Sequence, residues 1–173
     1  FASRHYRFTD GAAFQRSALA LDPTNREARE MYSLDLLRLG NAEEGRVQLD
    51  QVFAENPYSV MAFNLLEMMD TLETFEVIER GSFVLKLPKS ERAVMADTAL
   101  ELLDEAITKY EAKYKLKLEK PVLIGMFDNH DDVMVRAVGL QGNVGRMGIC
   151  CGKLITMDAP SVRPRGSFNW RSV

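Results

Sequence analysis

Three groups of residues in this sequence have types and spacings that could do chemistry. His130 lies among carboxylates in the segment DNHDD, an arrangement that could bind a metal ion. Glycines recur every third residue from Gly139 to Gly148, and glycine-rich loops can hold phosphate groups. Cys150 and Cys151 are adjacent and could act as nucleophiles or metal ligands. Each group also has a structural interpretation, which depends on the elements that position it.

For DNHDD, helix capping explains the residue types better than metal binding does. Asp128 or Asn129 begins a predicted short helix, and acidic residues in a first helical turn interact favourably with the helix dipole. The other histidine of the chain is His5, and no H-E-x-x-H spacing is present. We therefore expect His130 and its neighbours to serve structure.

The glycine repeat and the cysteines are also better explained by structure. A phosphate cradle runs from a strand into a helix N-terminus, whereas this loop runs from a predicted helix into a predicted strand and lacks G-K-[ST]. On a strand, adjacent cysteines point to opposite faces, and a disulfide between them requires strained geometry. We expect a surface loop and two buried free thiols.

The composition is that of an ordinary globular chain, with 173 residues, 46% of them hydrophobic, and a net charge of −3. No apolar run approaches the roughly 18 to 20 residues that span a bilayer, so we expect no membrane segment. Basic residues exceed acidic ones between Val144 and Val173, but the overall charge gives no reason to expect nucleic acid as a partner. The cellular compartment stays open.

The first half of the chain, residues 1–71, shows an internal period. The similar segments LALDPTNREA and VFAENPYSVMA place their prolines 34 residues apart, which is the tetratricopeptide period. Apolar residues at helical spacing predict two helices between Arg26 and Ser59, separated by Gly40-Asn41. This region resembles tetratricopeptide repeats. The resemblance implies a peptide-binding groove lined by Glu27, Glu30, Leu34 and Arg38. The alternative for these four residues is a solvated helix face.

Residues 72–173 change to an alternating pattern. We predict a hairpin around Arg80-Gly81, a long helix from a Ser90 cap to about Tyr114, a buried strand in PVLIGMF, a short helix, and one strand or a tight pair in GICCGKLITMD. Strands separated by a long helix predict an α+β fold with a mixed sheet. The first half contains one complete repeat, residues 26–59, with a half-repeat on each side of it. These are too few to bury a core alone, so the first-half helices are expected to pack on the α+β unit of the second half.

Four segments of the second half carry a more specific resemblance: FDNHDD, GICCGKLITMD, PSVRPRG and SFNW. Together they resemble the residues that precede the active site in a bacterial family joining tetratricopeptide repeats to a gluzincin-type, peptidase MA-like zinc metallopeptidase domain. In that family H-E-x-x-H follows, so the resemblance implies that the zinc ligands and general base lie beyond Val173. It implies zinc in a longer parent protein and a fragment that is inactive by itself.

The resemblance also implies an edge strand that aligns an extended peptide substrate by backbone pairing. This strand is expected in the later part of GICCGKLITMD, with an inner strand as the alternative. Its residues are Gly152, Lys153, Leu154, Ile155, Thr156 and Met157.

Two functions therefore stay open. The chain is either the N-terminal part of a zinc metallopeptidase that recruits a peptide or protein substrate, or a non-catalytic peptide-binding scaffold. An H-E-x-x-H motif in a longer version of the protein separates these alternatives. If a missing helix normally covers the sheet, Ile149, Ile155, Phe168 and Trp170 become exposed on one face, and we predict self-association through it.

Overall fold

The computed structural model describes residues 1–118, 121–142, 145–164 and 166–167, to which every structural statement below refers. Within them the chain forms six α-helices and one five-stranded mixed sheet. The predicted α+β class is confirmed. In this part of the chain, no helix combines the length and the apolar character that crossing a membrane requires.

Four helices form the first part of the molecule, after a short 3₁₀ turn at residues 2–5, and each packs against the next. They are α1 (Phe8–Leu21), α2 (Arg26–Arg38), α3 (Ala42–Glu55) and α4 (Val60–Glu73).

Side-chain caps fix where two of these helices begin. The Asn25 carboxamide accepts a hydrogen bond from the Ala28 amide at 2.9 Å, and the Ser59 hydroxyl accepts one from the Ala62 amide at 3.2 Å. Each bond satisfies a backbone N–H that has no partner within its own helix. The helix pair predicted within residues 26–59 is confirmed by the bounds of α2 and α3.

The sheet has the strand order β1-β2-β3-β5-β4. Its strands are β1 (Glu76–Arg80), β2 (Phe83–Leu87), β3 (Val122–Phe127), β4 (Gly148–Cys151) and β5 (Leu154–Asp158). The three central strands, β2, β3 and β5, run parallel, while β1 and β4 pair antiparallel at the two edges. A long helix, α5 (Arg92–Tyr114), connects β2 to β3, and a short one, α6 (His130–Val138), follows β3.

Both antiparallel pairs are hairpins with two-residue turns. Gly81 lies at the first turn position between β1 and β2 with φ 58°, and Gly152 holds the same position between β4 and β5 with φ 64°. Glycine is favoured at this position because it adopts positive φ without steric cost. Of the two alternatives for GICCGKLITMD, the tight pair is therefore confirmed.

One face of the sheet is covered by α5. The predicted Ser90 cap is wrong, because α5 begins at Arg92 and its N-cap residue, Glu91, makes no side-chain capping bond. The Glu91 carboxylate instead accepts a hydrogen bond from the Ser161 amide at 3.3 Å. The helix packs an apolar stripe on the sheet, which forms a core of Phe83, Leu85, Leu87, Met95, Ala96, Ala99, Leu100, Ile124, Met126 and Ala159.

The opposite face is covered by the first-half helices and α6. Leu37, Leu49 and Leu65 share one core with Phe127 and Val133, and each of these five side chains is fully buried. The expectation that the helices pack on the second half of the chain is confirmed. Residues of both predicted regions, 1–71 and 72–173, contribute to this core.

Arg38, at the end of α2, connects the helices to the sheet layer. Its Nε and Nη2 atoms donate hydrogen bonds to the Ala137 carbonyl at 3.1 and 2.8 Å, and Nη1 donates to the Asp35 carboxylate at 3.1 Å. The guanidinium carbon lies 4.9 Å from the centre of the Phe8 ring. The backbone carbonyl of Arg38 accepts a hydrogen bond from the Lys153 amide at 3.2 Å. One residue thus contacts α1, α6 and the β4–β5 turn.

The two hairpin glycines provide a matched test of this contact. A Cβ atom on Gly152 would lie 2.7 Å from the Arg38 carbonyl oxygen, whereas a Cβ on Gly81 would meet nothing within 4 Å. Gly81→Ala should destabilise the fold by about 1 to 2 kcal/mol, the cost of a side chain at positive φ. Gly152→Ala should cost about 1 to 3 kcal/mol more, because the added methyl group displaces packed backbone.

Urea denaturation followed by circular dichroism measures both losses. Equal losses for the two variants would show that the Gly152 turn does not approach Arg38 closely.

Candidate functional site

The strand predicted to align a substrate is an inner strand. Leu154 to Met157 lie in β5, which pairs with β3 on one side and β4 on the other, while Gly152 and Lys153 form the turn. The edge position expected for Gly152–Met157 is therefore wrong, and the inner-strand alternative is confirmed. Gly152 splits the segment into a hairpin, so the preceding residues take the edge instead. That edge strand is β4.

The hydrogen-bonding pattern shows which groups of β4 point outward. The Asp158 amide donates to the Met147 carbonyl at 2.9 Å, so this opposed pair is a hydrogen-bonded one. Pairs alternate along an antiparallel ladder, so Ile149 and Cys151 also bond to β5. The backbone N–H and C=O groups of Gly148 and Cys150 therefore face away from it. Among the described residues, β4 pairs with no second strand on that side.

The side chains of β4 alternate between the two faces of the sheet. Cys151 is buried beside Phe8 and Ala137, whereas Cys150 points to the opposite face and is exposed. The prediction that the two cysteine side chains point to opposite faces of the strand is confirmed, and both thiols are free. The expectation that both are buried is wrong for Cys150. Burial raises the pKa of the Cys151 thiol, so it is a poor nucleophile at neutral pH.

The proposed groove on α2 is not an open surface. Glu27 is exposed, but Glu30 binds the Ser59 hydroxyl with an oxygen–oxygen distance of 2.5 Å. Leu34 belongs to the shared core, and the buried Arg38 bonds to α6. For Leu34 and Arg38 the groove prediction is therefore wrong, because α6 covers this end of α2. The dense apolar run around Leu34 was a signal for burial on several sides of the helix.

A charged cluster forms where β3 and β5 end. The Asp158 carboxylate, 1% exposed, lies 2.8 Å from His130 Nδ1 and accepts hydrogen bonds from Arg163 at 3.1 and 3.2 Å. His130 follows β3 and Asp158 ends β5, and parallel strands bring their carboxyl ends to one edge. Sequence reasoning singled out His130 but missed Asp158 and Arg163.

The capping interpretation of DNHDD is confirmed. The Asn129 side chain is the N-cap of α6 and accepts a hydrogen bond from the Asp131 amide at 3.1 Å. Burial, followed by repulsion from Asp128, raises the pKa of the Asp132 carboxyl. Within the described ranges, no three His, Cys, Asp or Glu side chains lie close enough together to hold a metal ion.

The glycine-rich segment runs from α6 towards β4, as expected. Gly139 ends α6 with φ 79°, and the Gly142 amide donates to the Asp131 carboxylate at 3.3 Å. The Asp131 carboxylate thus accepts the hydrogen bond from an N–H group that a bound phosphate would need.

The face predicted for self-association is not a single face. Ile149 lies directly opposite Thr156 in the β4–β5 ladder, so it shares a face with Thr156 and not with the adjacent Ile155. Each isoleucine is half-buried, Ile149 beside Phe8 and Ile155 on the α5 side. Phe168 and Trp170 lie outside the described residues. Self-association itself stays a prediction.

Comparison with models of known protein families, with curated proteins and with solved structures found no match. The interpretation of the site therefore depends on its geometry and on the sequence resemblance described above.

The alternation along β4 predicts different reactivity for the two cysteines. Under native conditions at neutral pH, a maleimide should label Cys150 and leave Cys151 unreacted, because Cys151 is 5% exposed and its thiol stays protonated. Mass spectrometry of tryptic peptides measures each site, and labelling in urea provides the reference for full access. Rapid native labelling of Cys151 would contradict this placement of β4.

Proposed function

We propose that this chain binds an extended peptide along the outer edge of β4, as the substrate-aligning part of a zinc-dependent metallopeptidase. The observation that carries the proposal is the pair of residues, Gly148 and Cys150, whose backbone groups face away from β5. An extended peptide can bond to such groups as an added strand. The sequence resemblance to the peptidase MA-like family supplies the catalytic half of the proposal.

The zinc ligands would have to come from outside the described residues, as the resemblance implies. Asp158 already holds His130 and Arg163, and no cluster of potential ligands surrounds them. We therefore assign no step of hydrolysis to this chain. Its proposed task is to bind and orient the peptide backbone.

The β4 edge suits this task because it is short and accessible. Gly148 and Cys150 are exposed, and Gly148 has no side chain to obstruct a neighbouring strand. Cys151 and Ile149 anchor the strand beneath through Phe8 and Ala137. A peptide added here would extend a sheet that α5 and α6 already hold on both faces.

Two variants at one position test the edge directly. Cys150→Pro removes an outward N–H group but no bond to β5, so an edge strand should tolerate it. Cys150→Ser keeps that N–H and is the matched control. We expect Cys150→Pro to weaken the binding of fluorescein-labelled, unfolded casein about tenfold, which corresponds to about 1.4 kcal/mol, and Cys150→Ser to leave it unchanged. Fluorescence anisotropy measures the affinity.

Testing the catalytic half of the proposal requires a version of the protein that continues past Val173. Metal analysis showing about one zinc per chain, with chelator-sensitive casein cleavage, would support the metallopeptidase proposal. Casein binding without zinc or cleavage would instead assign a non-catalytic scaffold. Equal affinities of the Pro and Ser variants would contradict peptide addition at β4 in either case.

A further inference from the structure

Arg136 carries a buried charge that the described residues leave partly unsatisfied. Its side chain projects from α6, is 6% exposed, and has an Nη1 atom without any hydrogen-bond partner. Burial lowers the pKa of the guanidinium to about 10, so the group stays charged at neutral pH. A buried guanidinium with an N–H group that lacks a partner is unfavourable, and native proteins rarely keep one without a reason.

This charge lines a cavity between the sheet and the helices. The cavity has a volume of about 170 Å³. Its walls are mainly apolar and include Leu72, Val84, Leu123 and Phe127, with Lys86 and Arg136 as the charged side chains. Among the described residues, no aspartate or glutamate lines it. The cavity therefore combines a positive charge with apolar walls.

Lys86 adds a second positive charge to the same space. It projects from β2 and is half-buried, and burial followed by repulsion from Arg136 lowers its pKa, while Glu73 acts in the opposite direction. Two neighbouring cations in an apolar setting repel each other unless an anion lies close to both.

A second cavity of about 150 Å³ adjoins the first and shares Lys86 and Arg136 with it. It is also lined by Glu43, Glu73 and Arg46, and both glutamates are exposed, so this cavity opens to solvent. The Glu73 carboxylate lies 3.2 Å from Arg46 Nη1 and is engaged there. The outer cavity thus offers a route by which a small molecule could reach the inner charge.

We propose that the inner cavity binds a small monocarboxylic acid with an apolar body, whose carboxylate lies between Arg136 and Lys86. A planar carboxylate matches the paired N–H groups of a guanidinium and would supply a partner for Nη1. The apolar walls would cover the rest of the ligand. Inorganic phosphate fits less well, because its remaining oxygen atoms would face apolar side chains without partners.

Benzoate is a suitable probe, with benzamide as its neutral control of the same shape. Ligand-observed NMR at constant ionic strength should show benzoate binding in the millimolar range or tighter. Benzamide and inorganic phosphate should bind at least about tenfold more weakly. Benzoate should also raise the midpoint of thermal unfolding, because it binds the folded state.

Substitutions then test the two cations. Arg136→Met and Lys86→Met should each weaken benzoate binding at least about tenfold. Arg80→Met is the matched control, because Arg80 lies on β1, is paired with Asp104, and lines neither cavity.

Stability separates a binding role from a structural one. Without ligand, Arg136→Met should unfold at the same temperature as the natural chain or higher, because methionine fills the space without an unpaired charge. If Arg136→Met does not fold, Arg136→Lys and Lys86→Met still test the site. The proposal is overturned if benzamide binds as tightly as benzoate, if phosphate binds more tightly, or if both cation variants keep the natural affinity.

Discussion

The side chain of Arg38 joins parts of the molecule that lie about a hundred residues apart in sequence, and the arrangement of the other elements depends on this contact. It bonds to the Ala137 carbonyl on α6 and to the fully buried Asp35 on its own helix. The Ser3 hydroxyl donates to the same Asp35 carboxylate at 2.5 Å, which extends the network to the N-terminus. When a buried ion pair loses one partner, the uncompensated charge costs about 3 to 5 kcal/mol. The network therefore favours one relative position of the helices and the sheet.

Each candidate feature of the molecule is positioned through this contact. The helix held by Arg38, α6, begins with His130 of the Asp158 cluster and carries Arg136 of the inner cavity. The Arg38 carbonyl also accepts a hydrogen bond from the Lys153 amide in the turn that connects β4 to β5. A peptide at the β4 edge and an acid in the inner cavity would therefore occupy two sites that share one structural support. The shared core of Leu37, Leu49 and Phe127 makes that support rigid.

The parts of this fold that sequence could predict are those with local causes. Arg80-Gly81 predicts the first hairpin, while Gly152 gives the second as one of two alternatives. Asp128 or Asn129 predicts the start of α6, and the Gly40-Asn41 stop predicts the α2–α3 pair. The α+β class follows from the change of period after α4. These signals act within a few residues, so a single sequence contains them.

Apart from the Ser90 cap, the main errors concern contacts between residues that are distant in sequence. Arg38 has the type of a surface residue, and its burial follows from contacts with the distant residues Ala137 and Phe8. Similarly, β5 is an inner strand because its neighbours are β3 and β4. The order of strands in a sheet cannot be predicted from the local periodicity of the sequence. The Asp158–Arg163 pair was missed because an aspartate that ends a strand resembles an ordinary turn residue. The buried Arg136, whose Nη1 atom lacks a partner, has no signal in the sequence at all.

Native-state hydrogen exchange tests the central claim, that the helices and the sheet form one unit with a common core, most directly. If they do, amides of α3 around Leu49 and amides of β3 around Ile124 should exchange through the same opening, with equal free energies and equal dependence on denaturant. If α3 instead opens at a clearly lower free energy than β3, the helices and the sheet are separate units, and the contact through Arg38 does not unite them.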